Sequence, residues 1–248
     1  MPETEVQNTE KVLSVAQNVA RVQKRIQQAA QRVGRDAAEI RLVAASKTVD
    51  AARIRAALAA GITIIGENYL QEARQKIGQL GSHAAEWHFI GTLQRNKVRY
   101  IFDLFHMLHT VDRLELAEEL NRRAERLGRY MSVLLEVNVG GEDSKSGFDS
   151  QSLMDSIETL ASLAHVQIRG LMTIPPPTGT PEEARPFYQE LCDLRDRLRR
   201  KGIDGLELAE LSMGMTADFE VAVEEGATLV RVGTAIFGPR PTPHERRG

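Results

Sequence analysis

From Ile40 onward the chain alternates two patterns. Short, nearly continuous apolar runs read as strands: RLVAAS (41–46), ITIIGE (62–67), EWHFIG (86–91) and DLFHMLHTV (103–111) come first. YMSVLLEVNV (130–139), VQIRGLMTI (166–174), LELAELSM (206–213) and TLVRVG (228–233) complete a set of eight. Amphipathic helical segments follow nearly all of them, starting near Asp50, Asn68, Leu93, Asp112, Ser150, Pro181 and Thr216. Asp50 and Asp112 suit N-cap positions, and Gly61, Gly128, Gly202 and Gly226 suit helix stops. Ahead of the first strand, Val12, Val15, Val19, Val22, Ile26, Ala29 and Val33 line one face of a long helix that Gly34 would end. That face could meet a partner helix in a coiled coil. Three heptads is short for that, so packing against its own domain is expected.

Strands that are apolar almost throughout belong in a parallel sheet covered on both faces. Eight strand–helix repeats in 248 residues point to an α/β protein, a single closed (β/α)₈ barrel of the TIM type with an extra N-terminal helix. No low-complexity linker divides the chain. One domain over residues 10–238 is expected, with flexible segments at 1–9 and at 239–248, the polar, proline-rich PRPTPHERRG.

Composition narrows the function classes. An apolar content of 42% supports a sizeable core, and a net charge of −2 gives no electrostatic reason to expect nucleic acid or membrane binding. The lone Cys192 excludes an intrachain disulfide and falls in the helical pattern FYQELCDLRDRL, where a packing role is expected. MPETEVQNTE lacks the features of a signal peptide, and no apolar run is long enough to span a bilayer, so a cytoplasmic protein is expected. The six histidines show no metal-ligand spacing, and no metal site is expected. Neither a Gly-x-Ser-x-Gly elbow nor a Walker-type phosphate loop occurs.

In such barrels functional groups project from the C-terminal strand ends and the loops after them. The first strand ends in Ser46-Lys47. An amine between apolar walls loses part of its preference for the charged form, and the neutral amine condenses with aldehydes. Lys47 is therefore the candidate for covalent chemistry, against the alternative of a solvated lysine at a helix start. RVGTAIFG after strand eight offers Gly233 and Thr234, and LSMGMT after strand seven offers Ser212, Gly214 and Thr216. Loops after these two strands are a common phosphate site, although the glycines also suit tight turns. Arg231 shares the side of its strand with Gly233 and needs an acceptor, either a ligand or a carboxylate such as Glu210. Asn68 either contacts a ligand or caps the following helix, and His88 either packs in the barrel or supports the site.

A strand-end lysine, a phosphate site across the barrel and an inward arginine together suit pyridoxal 5′-phosphate. The stretches LVAASKT, IGENYLQEA, WHFIGTLQRNK, GLMTIPP, LSMGMTADFEVAVEEGAT and VRVGTAIFG also resemble, in order from Leu42 to Gly238, the pyridoxal phosphate homeostasis proteins, or proline synthase co-transcribed homologues. The resemblance implies that Lys47 holds the cofactor as a Schiff base and that Ser212, Gly233 and Thr234 hold its phosphate. It also implies that Arg231 faces the pyridine nitrogen and that Asn68, Met213 and His88 line the pocket. An arginine there discourages protonation of the ring nitrogen and weakens the ring as an electron sink. The barrel is similar to that of the fold-type III enzymes, alanine racemase and the eukaryotic-type ornithine decarboxylases. Those carry a C-terminal β-domain and work as dimers that complete each other's sites. This chain ends ten residues past Gly238, so their acid/base groups are expected to be missing. The implied role is non-catalytic: a protein that buffers the cofactor or delivers it to apoenzymes, expected to be a monomer. The alternatives are a racemase or decarboxylase on the same barrel, or a class I aldolase with its lysine elsewhere. Lys145, in GGEDSKSGF, matches a lysine common in the family and is read as an accessory amine or a solvated loop residue.

Overall fold

The eight apolar runs form eight parallel strands that close into a barrel in sequence order, β1 pairing with both β2 and β8. In the computed structural model residues 13–142 and 146–239 are described; the expected segment 1–9, Val12, Lys145 and, of the expected segment 239–248, all but Pro239 lie outside them. The strands are β1 (Arg41–Ala45), β2 (Ile64–Glu67), β3 (Glu86–Phe89), β4 (Met107–Val111), β5 (Met131–Glu136), β6 (Val166–Met172), β7 (Glu210–Ser212) and β8 (Leu229–Val232). Alternation along each strand sends one set of side chains into the lumen, where Val43, Ile64, Met107, Leu134, Met172 and Leu229 form a small apolar cluster. The other set, including Trp87, Phe89 and Val133, packs against the surrounding helices. Gly170 marks a tight seam, since a Cβ there would stand 1.8 Å from the Glu210 carbonyl oxygen on β7.

The N-terminal helix α1 (Val15–Arg32) starts at a Ser14–Gln17 capping box and belongs to this domain. Val19, Val22, Ile26, Ala29 and Ala30 are buried on its inner face. The remaining helices are α2 (Ala51–Ala59), α3 (Leu70–Leu80), α4 (Leu114–Leu127), α5 (Ser150–Ala161), α6 (Arg185–Arg199), α7 (Phe219–Glu224) and α8 (Thr234–Phe237). α8 is a single turn, too short to cover β8 and β1. α1 covers the gap, packing on α2, α7 and α8. Arg25 pairs with Glu220 at 2.6 Å and lies over the Phe219 ring, and Arg32 pairs with Glu224 at 2.6 Å.

Two local expectations fail. The segment starting near Leu93 is a 3₁₀ helix, Arg95–Tyr100, rather than an α-helix. Val98 and Ile101, three apart, are both buried there, a spacing that matches the threefold 3₁₀ period. Asp112 does not cap α4. The N-cap is Arg113, without a side-chain cap bond, and the Asp112 carboxylate pairs with the Arg113 guanidinium instead. Asp50 does cap α2, accepting from the Arg53 N–H at 2.9 Å. Cys192 is half-buried against the Glu225 carbonyl, and burial pushes its thiol up to about 11. No helix among the described residues is long and apolar enough to cross a membrane.

Candidate functional site

Past Ala45 the chain leaves β1 in a tight turn, the Val49 N–H donating to the Ser46 carbonyl at 2.9 Å. Thr48 sits at φ 63° in this turn, a left-handed conformation that a β-branched residue rarely adopts. A buried polar cluster holds it there. Glu72 accepts from the Thr48 N–H at 2.9 Å, and Lys76 donates to the Ser46 carbonyl at 2.7 Å and to Glu67 at 2.8 Å. The Ser46 hydroxyl donates to the same Glu67 oxygen. Glu67 is fully buried, and burial pushes its carboxyl above the ordinary range against the pull of Lys76. The cluster thus fixes the backbone on both sides of Lys47. The Lys47 side chain is half-buried, its Nζ 4.9 Å from the Tyr69 ring centroid.

Lys47 opens onto a cavity of about 370 Å³ at the C-terminal end of the barrel. Of the cofactor-contact residues that the family resemblance implies, Lys47, Asn68, Arg231, Gly233 and Thr234 line it together. Asn68 is not the cap of α3, whose N-cap is Tyr69 with no side-chain cap bond. Gly233 lies where β8 approaches the end of β1: a Cβ there would stand 3.0 Å from the Ala45 carbonyl oxygen. Thr216 and Arg53 also line the cavity. Thr216 accepts from the Ala235 N–H at 3.5 Å, tying the loops after β7 and β8 together. Arg53 reads in the sequence as an ordinary helix-surface arginine, and only the closure of the barrel brings the first turn of α2 against Gly238.

His88, Ser212 and Met213 lie off the lining, and strand alternation explains why. Met213 turns outward into the layer beneath the helices. Ser212 and His88 turn into the lumen and are fully buried. Arg231, buried at the cavity floor, donates to the Ser212 hydroxyl at 2.5 Å and to the Thr173 carbonyl at 2.9 Å. Burial lowers its guanidinium from the ordinary value, opposed by Tyr188, Glu136 and Asp218. Glu210, the alternative partner for Arg231, is taken by Arg41 at 2.6 Å. No cluster of three or more His, Cys, Asp or Glu suited to a metal ion occurs among the described residues.

Glu136, at the C-terminal end of β5, is a titrating group that strand reading passes over. Burial, with the nearby Asp112 carboxylate, pushes it from 4.5 up to about 7, against the pull of Arg231. Its folded-state value lies above its unfolded one, so the folded chain binds more protons between them and stability falls as pH rises through that window. The gap corresponds to roughly 3 kcal/mol. Glu136→Gln is expected to match the native chain near pH 5 and to exceed its urea stability near pH 8. Equal pH slopes for the two chains would remove Glu136 as the source.

Comparison with known proteins places this geometry. Residues 17–241 match the N-terminal domain of alanine racemase. The chain is 44% identical over 228 residues to the pyridoxal phosphate homeostasis protein of Aquifex aeolicus, covering 92% of this chain and 99% of that one. It is 40% identical over 233 residues to the Escherichia coli K12 protein of the same name, covering 91% and 97%. PipY of Synechococcus elongatus, solved with PLP bound, superposes with a TM-score of 0.81 at 37% identity, over 91% of this chain and 100% of that one. Alanine racemase from Corynebacterium glutamicum shares the fold at a TM-score of 0.67 and 19% identity, over 92% of this chain and 62% of that one.

Proposed function

The chain belongs to the pyridoxal phosphate homeostasis protein family, and from that premise we propose that it binds pyridoxal 5′-phosphate and holds it for release rather than for turnover. The observation that carries this reading is the convergence of Lys47, Arg231, Gly233 and Thr234 on one cavity. The residues fit the group. Lys47 supplies an amine for its aldehyde. Gly233 and Thr234, with Thr216 beside them, supply a close backbone and two hydroxyls for its phosphate. Arg231 would supply a buried cation at the cavity floor.

When bound, the cofactor contributes an electrophilic aldehyde and an electron-withdrawing ring. The protein's part is to hold Lys47 at the rim with the Ser46–Glu67–Lys76 cluster and to keep Arg231 cationic at the floor. An arginine there would meet the ring nitrogen as a donor that does not give up its proton, which suits storage. Ser212 acts through Arg231, and Met213 through packing. The naming of the relatives supports the non-catalytic reading. Apoenzymes that need the cofactor are the proposed recipients, and the proposed state is a cytoplasmic monomer.

The test is to load the purified chain, reduce it with borohydride and map the adduct by peptide mass, then mix loaded, unreduced protein with an apoenzyme. The adduct is expected on Lys47, and the apoenzyme is expected to activate at a rate distinct from that with free cofactor. Steady, Lys47-dependent turnover of any amino acid above the free-cofactor background would favour the racemase or decarboxylase reading instead.

A further inference from the structure

Arg231 is the near end of a hydrogen-bonded chain that runs down the barrel lumen to the opposite face. Arg231 Nη1 meets Ser212 Oγ at 2.5 Å, and Ser212 Oγ meets His109 Nδ1 at 2.9 Å. His109 Nε2 meets His88 Nδ1 at 2.9 Å, and His88 Nε2 meets Glu86 Oε1 at 2.9 Å. Ser212, His88 and His109 are fully buried, whereas the Glu86 side chain is 40% exposed at the first residue of β3, on the N-terminal face. None of these bonds belongs to the backbone ladder of the barrel. Apolar residues would fill a lumen without the desolvation cost of two imidazoles.

The two charged ends impose a direction on the neutral groups between them. A guanidinium only donates and a carboxylate only accepts. The Ser212 oxygen therefore accepts from Arg231, and its one proton goes to His109 Nδ1. His109 must then carry its proton on Nε2 and donate to His88 Nδ1, and His88 must carry its own on Nε2 and donate to Glu86. The reverse order would aim a bare His88 lone pair at the carboxylate, or would need an imidazolium at His88. Burial holds both imidazoles below their ordinary range: at His88 it outweighs the upward pull of the Glu86 carboxylate, with Arg41 and His106 adding to it, and at His109 His88, Arg231 and Arg41 add to it. The hydrogen bond from His88 holds Glu86 low, so it remains an acceptor.

We propose that Glu86, His88 and His109 are positioning residues for the cofactor: a one-directional relay that pins Arg231 at the cavity floor from the far face of the barrel. The inference rests on Arg231 contacting the cofactor, as proposed above. With every donor along the chain committed, Ser212 presents Arg231 with lone pairs only. The guanidinium is thereby held in one rotamer with its remaining N–H groups free for the ring. Losing the distal acceptor lets the imidazoles change tautomer and lets Ser212 turn its proton toward Arg231.

One arm of the test needs no cofactor. Long-range ¹H–¹⁵N spectra of the ¹⁵N-labelled full chain, assigned with His88→Gln and His109→Gln, are expected to show both rings protonated at Nε2 and not titrating between about pH 6 and pH 8. An Nδ1-protonated ring, or an imidazolium forming in that range, would overturn the relay. The second arm is a double-mutant cycle read by pyridoxal phosphate affinity and absorption spectrum. Glu86→Ala is expected to raise the dissociation constant by roughly threefold to tenfold and to shift the spectrum. It is expected to do neither in an Arg231→Ala background, and Glu86→Gln, whose amide oxygen still accepts, is expected to recover most of the loss. Additive effects, or no effect of Glu86→Ala, would overturn the coupling. If Arg231→Ala itself leaves affinity and spectrum unchanged, the ring contact fails and the coupling with it, while the spectra of the first arm still decide the relay.

Discussion

Replacing Lys47 with alanine is expected to leave the purified chain with no borohydride-reducible adduct, against one per chain in the native protein. The expectation rests on the turn more than on the lysine. Ser46 and Thr48 are held on either side by Lys76, Glu67 and Glu72, so the Lys47 backbone has little freedom. Of the lysines near this turn, Lys47 lines the cavity that Arg231, Gly233 and Thr234 share, and Lys76 does not. Lys76, although close, is committed to three acceptors and 9% exposed, so it is no substitute amine. The fold itself should hardly notice. Lys47 is half-buried, and its one aromatic contact is worth about 0.5–1 kcal/mol. Intact Lys47→Ala protein that binds cofactor weakly and non-covalently is the expected result. An adduct of undiminished stoichiometry, mapped by peptide mass to another lysine, would sink the assignment of the anchor.

How much of this was legible in the sequence follows from the physics of each signal. All eight strands could be read because parallel barrel strands are buried on both faces, and RLVAA or MSVLLE shows that in composition alone. Their closure followed from counting repeats. The rim position of Lys47 followed from the rule that barrel function sits at C-terminal strand ends, and the structure puts it on the same cavity as Gly233 and Thr234. Placement of Ser212 against Met213 was not legible, because it depends on the phase of a three-residue strand. The relay was half legible: Glu86 and His88 alternate within EWHF on one face. Their continuation through His109 requires the β3–β4 register, which pairs His88 with Met107 and so sets His109 one step further up the lumen. Lys76 gave no signal at all, since a lysine in LQEARQKIGQL reads as solvated until the helix face is known.

That hidden lysine is where the second large effect is expected. Lys76→Met is expected to cost about 3–5 kcal/mol, the range for removing one partner of a buried ion pair. Glu67 is fully buried with one carboxylate oxygen already lacking a hydrogen-bond partner, so losing Lys76 leaves it only the Ser46 hydroxyl. The Ser46 carbonyl loses its 2.7 Å donor as well, and only the Val49 turn bond and Glu72 remain to hold Thr48 at its positive φ. The loss should depend on pH in a definite sense. Glu67 sits above its unfolded value, so the folded chain binds the extra proton and stability falls as pH rises through the folded value. Without Lys76 that value climbs further, and the deficit of the variant should be larger near pH 8 than near pH 5. Urea denaturation at the two pH values measures it, and Lys76→Met with Glu67→Gln should recover much of the loss by removing the stranded charge. The yield of reducible adduct on Lys47 should fall in the single variant even where it is folded, because the turn that aims the amine has lost its main clamp. Native stability and native adduct yield in Lys76→Met would show that the cluster beneath Lys47 merely fills space.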